Sequence, residues 1–171
     1  MILKARMTAV LLAGLIAVPS HGYARSGDTE QPMHVEADSA EFNDNTGVSV
    51  YRGKVRVNQG SMVLTGDVVT VVAPKQRIQK VTSEGNLSTF HFVNDDNREI
   101  DAEAEYMEYN IKDQKIILRR RAKLTEGQNT FSSVRIVYDT QTRVVDAGDP
   151  KKNSRVKMTI MPQSLKSKPK Q

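Results

Sequence analysis

The sequence predicts an all-β fold, an elongated body of antiparallel strand-turn-strand units stacked in series. Three observations predict it. Apolar and polar residues alternate with a period of two through most of the chain. Clusters of Asn, Asp, Gly and Pro interrupt that alternation at short intervals. A segment of 38 residues, 34–71, also repeats its apolar pattern 67 positions later over 101–138.

The stretch YRGKVRVNQGSMVLTGDVVTVV, residues 51–72, shows the alternation most clearly. Tyr51, Gly53, Val55 and Val57 fall on one face, while Arg52, Lys54 and Arg56 fall on the other. Asn58-Gln59-Gly60 turns the chain, and Met62 and Leu64 resume the pattern before Val69 and Val71 continue it with the parity changed. A bulge or bend near Gly66 returns all four to one side. Val48–Val50, Ile116–Leu118, Val134–Tyr138 and Val156–Ile160 are further runs of this kind. Asn43-Asp44-Asn45, Ala73-Pro74-Lys75, Asn94-Asp95-Asp96-Asn97 and Lys112-Asp113-Gln114 supply turns between strands.

Residues 102–109, AEAEYMEY, are good helix formers, yet the acids at 101, 103, 105 and 108 mostly alternate. The repeat decides for strand. It lays EADSAEFN over EAEYMEYN and Gly60 over Gly127, and it sets Phe42 on Tyr109, Leu64 on Phe131, and Val69 and Val71 on Ile136 and Tyr138. Six of the 38 pairs are identical, so the shared apolar pattern is the evidence.

Such strands need a cover for their apolar faces, and two sheet layers packed face to face provide one. Aromatics are 5 % of the chain, so Val, Ile, Leu and Met line the interior. An ordinary Val-rich core and an interior that does not fill itself both satisfy this composition, and composition alone favours the filled core.

The chain begins with Lys4 and Arg6, the apolar run from Met7 to Val18, and small residues before Ala24. This predicts a secretory signal peptide over residues 1–24. Twelve apolar residues rise only about 18 Å, short of the roughly 30 Å hydrocarbon core of a bilayer. The mature 147 residues suit one domain, spanning 25–162, with a basic tail at 163–171 expected to be disordered. With no cysteine, an exported protein stands without disulfides, which suits a bacterial periplasm. The net charge of +5 is a property of the tail. Residues 25–150 hold 16 Lys and Arg against 20 acids, whereas residues 151–171 hold seven cations and no acid. A nucleic-acid partner needs a basic face with stacking aromatics. Only Arg119–Arg121 and Lys123 approach one, and they read better as a solvated face.

The search for reactive chemistry ends quickly. Beyond residue 24, His34 and His91 have no metal-ligand spacing, and no phosphate loop or nucleophile turn occurs. The acids from Glu99 to Glu108 could pair as in a glycosidase, but alternation puts Asp101, Glu103 and Glu105 on the wet face of a strand. The chain reads as a non-enzyme with no cofactor and no metal.

GDTEQPMHVEAD, YRGKVRVNQGSMVLTGDVVTV, MEYN and RVKMTIMPQSL together resemble the LptA family of periplasmic lipopolysaccharide transport proteins, over nearly all of residues 27–165. The resemblance implies a twisted, incomplete β-jellyroll of the OstA type, open at both ends. It also implies lipopolysaccharide, through its lipid A, as cargo in the apolar interior. Members stack head to tail as homo-oligomers and link inner-membrane LptC to outer-membrane LptD. Carried over residue by residue, Thr29, Met33 and Val35 stand at one mouth, and Phe90 and Tyr109 match interior aromatic positions. With the alternating faces of the repeat, the expected lipid-binding set is Thr29, Met33, Val35, Phe42, Tyr51, Val55, Val57, Leu64, Phe90 and Tyr109. The expected subunit interface joins Met33 and Val35 at the first strand to Val156, Met158 and Ile160 at the last. Two other readings remain: a periplasmic structural or glycan-binding β protein with a filled core, and a hydrolase working through Glu99–Glu108.

Overall fold

A computed structural model describes residues 27–94, 96–149 and 154–161. The expected signal peptide at 1–24 and the tail at 163–171 lie outside these residues. Ten strands follow one another along the chain: β1 (His34–Glu36), β2 (Ser39–Asn43), β3 (Val48–Gln59), β4 (Met62–Val72), β5 (Lys80–Val93), β6 (Glu99–Asn110), β7 (Lys115–Glu126), β8 (Asn129–Asp139), β9 (Val145–Ala147) and β10 (Lys157–Thr159). They form one antiparallel sheet ordered β1-β3-β4-β5-β6-β7-β8-β10, with β2 also on β3 and β9 also on β8. The sheet does not close. Both of its margins are built from two short strands, β1 and β2 at one and β9 and β10 at the other. No helix among the described residues is long and apolar enough to cross a membrane.

The 67-residue repeat is realised in the backbone. Adding 67 to the bounds of β3 gives those of β7, and adding it to β4 gives β8. Left-handed backbone recurs at the same offset: Gly47 and Gln114, Gly53 and Arg120, Lys54 and Arg121, Gly60 and Gly127, Gln76 and Arg143 all have positive φ. The middle of each long strand is irregular. The ladder skips between Arg52 and Val55, and again at Thr65/Val68, Glu84/Ser88, Glu103/Tyr106 and Arg119/Ala122. These breaks form a line across the sheet along which each strand bends.

The bend near Gly66 expected from the parity change lies on this line, since Leu64 and Val69 are both buried across it. Gly66 is demanded by space rather than by φ. A Cβ there would stand 2.1 Å from Ser83 Oγ and 2.9 Å from Ser88 Oγ, two buried hydroxyls that bond each other at 2.8 Å. The segment of good helix formers at 102–109 lies inside β6. Tertiary pairing on both sides overrides local propensity there.

On each half, cross-strand partners share a face. Beyond the bend, the interior row reads Val35, Val57, Leu64, Phe90, Ala102, Leu124, Phe131 and Met158. On the other half it reads Phe42, Ser49, Val71, Val81, Tyr109, Ile116, Tyr138 and Val145. The bend folds these faces toward each other. Phe90 lies 6.3 Å from Tyr109, and Phe92 lies 6.3 Å from Tyr138, each pair joining one half to the other. Val69, Ile100, Leu118, Leu124, Ile136 and Tyr138 are completely buried between the halves. A packed core occupies most of the interior, and its burial of aliphatic side chains stabilises the bent sheet at roughly 1.5–3 kcal/mol per large residue.

Candidate functional site: an apolar cavity between the sheet halves

The interior is not filled throughout. A cavity of about 430 Å³ opens between the halves near the β1 margin. Its depth is made by Val57, Leu64 and Phe90 on one half and by Val81, Ser83, Met107 and Ile116 on the other, all buried. Met33, Met62, Ile78, Tyr109 and Ile111 continue the apolar wall toward the opening, and Gln31, Gln59, Gln76, Arg77 and Glu108 supply its polar lining. Gln31, Gln76 and Arg77 are exposed, which marks the mouth.

Local chemistry holds the mouth in place. The Gln59 side-chain amide donates to the Gln31 carbonyl at 2.9 Å, pinning the entry to β1 against β3. Ser61 Oγ donates to the Asp28 carboxylate, and the Val93 N–H donates to Ser61 Oγ at 3.1 Å. These bonds anchor the turn Asp28–Glu30, which contains Thr29, beside the β3–β4 hairpin. Tyr109 in the wall and Tyr106 beside it are shifted in pKa. Burial raises that of Tyr109, and a hydrogen bond with Thr140 partly offsets the rise. Tyr106, just behind Glu108, is pushed up to about 12, first by burial and then by the hydrogen bond its hydroxyl donates to Glu108 at 2.8 Å. Tyr109 therefore stays neutral at physiological pH and brings no charge to the wall.

The structure brings five of the ten expected lipid-binding residues into this cavity: Met33, Val57, Leu64, Phe90 and Tyr109. Val55 lies in the packed core at 1 % exposure, and Val35 and Tyr51 pack against that core without lining the opening. Phe42 differs from expectation. It is on the interior face, opposite Ser49, yet it is 68 % exposed and outside the cavity, because β2 is marginal and no strand lies beyond it. The filled core that composition favoured holds for most of the interior but not here. Ile78 and Ile111 escaped the sequence reading because they stand in connections between strands, where a period of two assigns no face. Met107 and Ile116 carried a usable signal, since the repeat sets Met107 on Ala40 and Ile116 opens the alternating run Ile116–Leu118.

The expected edges are edges. β1 and β10 terminate the strand order, Met33 and Val35 are half-buried, and Val156, Met158 and Ile160 are exposed at 46, 55 and 61 %. Asp101, Glu103 and Glu105 of β6 stand on the outer face and are partnered there. Asp101 meets His91 at 2.8 Å, Glu103 meets Lys123 at 3.5 Å, and Glu105 meets Arg120 at 3.3 Å. Arg119, which lies 5.4 Å over the Tyr106 ring, Arg120, Arg121 and Lys123 are exposed, as a solvated face should be. The acids are spread along a surface, so no convergent carboxylate pair forms. Among the described residues no group of three or more His, Cys, Asp or Glu side chains is placed to hold a metal.

Comparison with known proteins matches this architecture. The lipopolysaccharide export system protein LptH of Pseudomonas aeruginosa is 39 % identical over 145 residues, covering 82 % of this chain and 83 % of LptH. The lipopolysaccharide export system protein LptA of Escherichia coli K12 is 26 % identical over 167 residues, covering 96 % of this chain and 90 % of LptA. The crystal structure of the Pseudomonas LptH, described as the LptA-homologous periplasmic component of the lipopolysaccharide transport device, superimposes with a TM-score of 0.72 at 38 % identity. That match covers 80 % of this chain and 99 % of LptH. Residues 34–144, from β1 to the turn before β9, match the family described as LptA/(LptD N-terminal domain) LPS transport protein. The superposition with LptH shows that its fold is shared by this sequence, and the chain belongs to the LptA/LptD N-terminal domain family of lipopolysaccharide transport proteins.

Proposed function

We propose that the protein is a soluble periplasmic carrier of lipopolysaccharide, holding the acyl chains of lipid A in the cavity between its sheet halves. The observation that supports this most is the cavity itself: about 430 Å³, within the ordinary range for ligand sites, with an apolar wall from both halves. A filled-core structural protein leaves this space without a use. The related proteins are named for lipopolysaccharide export, and the family places the chain among them. Physics favours a covered path over free diffusion. Each buried CH₂ contributes roughly 0.8 kcal/mol, so several acyl chains amount to tens of kcal/mol on exposure to water.

The two open margins suggest how a longer path is made. β1 and β10 present unpaired backbone groups and apolar side chains on the interior face, Val35 at one end and Met158 at the other. Joining the last strand of one molecule to the first of the next extends the sheet and aligns the interiors. On this reading the homo-oligomer is head-to-tail, with LptC taking one terminal edge and LptD the other.

Saturable binding of lipid A tests the cargo. Replacing Val57, 5 % exposed and on the cavity wall, with Glu places a carboxylate among acyl chains. Lipid A affinity should fall at least tenfold, while circular dichroism stays that of a folded sheet. A folded Val57→Glu protein that binds lipid A normally contradicts the assignment.

A further inference from the structure

The cavity has a charged mouth as well as an apolar wall. The chain from Val68 to Ser83 carries Lys75, Arg77 and Lys80 and no acid, although residues 25–150 as a whole are net acidic. None of these three cations enters an ion pair or side-chain hydrogen bond among the described residues, whereas Arg98, Arg120, Arg121, Lys123 and Arg135 all meet carboxylates. Arg77 is exposed and lines the mouth beside Gln76 and Gln31. The connection that carries it is unusual, with consecutive non-glycine residues Lys75 and Gln76 at φ of 54° and 59°. Such backbone is sparsely populated and persists only where its surroundings enforce it. Glu108 is the one acid on the cavity lining, and the Tyr106 hydroxyl already engages its carboxylate.

An unpaired guanidinium at the rim of an apolar cavity suits an amphiphile whose head is anionic and whose tail is hydrocarbon. We infer that Arg77 is a headgroup-recognition site that reads phosphate on the bound lipid while the acyl chains occupy the cavity. Arginine is apt for this, because its planar fork donates two parallel hydrogen bonds to one phosphate and cannot lose its charge. Gln31 and Gln76 add neutral amide donors at the same rim. The inference rests on the lipid reading above and adds to it a basis for selecting among lipids.

The test compares two probes on the full-length protein, bisphosphorylated lipid A and the same lipid with its phosphates removed, by competition against a fluorescent lipid analogue. The wild type should prefer the phosphorylated form by about tenfold at low salt, and the preference should shrink as salt rises. Arg77→Gln should reduce the preference ratio to about twofold, Arg77→Lys should restore part of it, and Lys80→Gln, on the outer face of β5 beside the inward Val81, should leave it unchanged. Excess inorganic phosphate should not displace either lipid, because it has no chain to place in the cavity. Equal losses on both lipids in Arg77→Gln, no preference in the wild type, or displacement by inorganic phosphate would each overturn the headgroup site. Failure of the wild type to bind either lipid overturns the lipid reading itself, and the two failures are thereby told apart.

Discussion

Two leucines on the same face, one in the packed core and one on the cavity wall, should respond differently to the same truncation. Leu118 is 0 % exposed, paired across the sheet with Met107 and Ile136, and lines no opening. Truncating it to Ala removes its transfer free energy and leaves a new void in rigid surroundings, at a cost of about 3–5 kcal/mol. Leu64 is 9 % exposed and already borders the cavity. Its truncation enlarges existing space, so only the transfer contribution of about three carbon groups is lost, roughly 2.4 kcal/mol at about 0.8 kcal/mol each. In a chain of this size each kcal/mol shifts the midpoint by about 2–4 °C. Urea unfolding followed by far-UV circular dichroism should therefore show Leu118→Ala losing about one and a half times as much stability as Leu64→Ala, or more. Added lipid A should raise the midpoint of both variants, by a smaller margin for Leu64→Ala, whose wall has lost contact area. Equal losses, or a larger loss at Leu64, would mean that the cavity is filled in solution and that the interior is an ordinary core.

Gly66→Ala should cost at least about 2 kcal/mol, because the added methyl displaces the buried Ser83–Ser88 hydrogen bond; Gly127→Ala, with open space around it and φ of +58°, should cost only about 1–2 kcal/mol in chemical denaturation. Met158→Pro in β10, opposite Phe131, should abolish concentration-dependent growth in light scattering while lipid binding persists, and growth equal to wild type would remove this edge from the interface. Asp139 accepts hydrogen bonds from the N–H groups of Thr142 at 2.8 Å and Gln141 at 3.1 Å, and the Thr142 bond leads in holding its pKa below the ordinary carboxylate value. Its stabilising contribution is therefore complete above about pH 4 and lost as pH falls through the depressed value. Asp139→Ala should lower the melting temperature at pH 7 and have little effect at pH 2.

The repeat was the most informative feature of the sequence, and its reach has a physical limit. It placed β3 on β7 and β4 on β8, and it identified β6 as a strand against its helix-forming composition. Alternation also located the bend at Gly66, since a parity change can be absorbed only by an irregular step in the ladder. A repeat predicts which face a residue takes, however, and not whether anything covers that face. Phe42 and Tyr109 occupy equivalent positions, yet Tyr109 has β5 and β7 beside it and the opposite half above, while Phe42 stands on a marginal strand. The same limit hid the cavity. Val55 and Val57 are two residues apart on one face, one sealed in the core and one bordering open space. That difference arises from the packing of the two halves, and no local pattern encodes it. Arg77 was invisible for a related reason, because its position at the mouth is set by a connection whose path strand periodicity does not describe.

Site-specific photo-crosslinking tests the central claim most directly. A photoreactive phenylalanine analogue at Phe90, 8 % exposed and on the cavity wall, is compared with the same probe at Val134, 44 % exposed and outside the cavity. In cells making lipopolysaccharide, the account predicts a crosslinked lipopolysaccharide adduct from position 90 and none above background from position 134. Equal adducts from both positions, or an adduct from position 134 alone, would contradict transport through the interior.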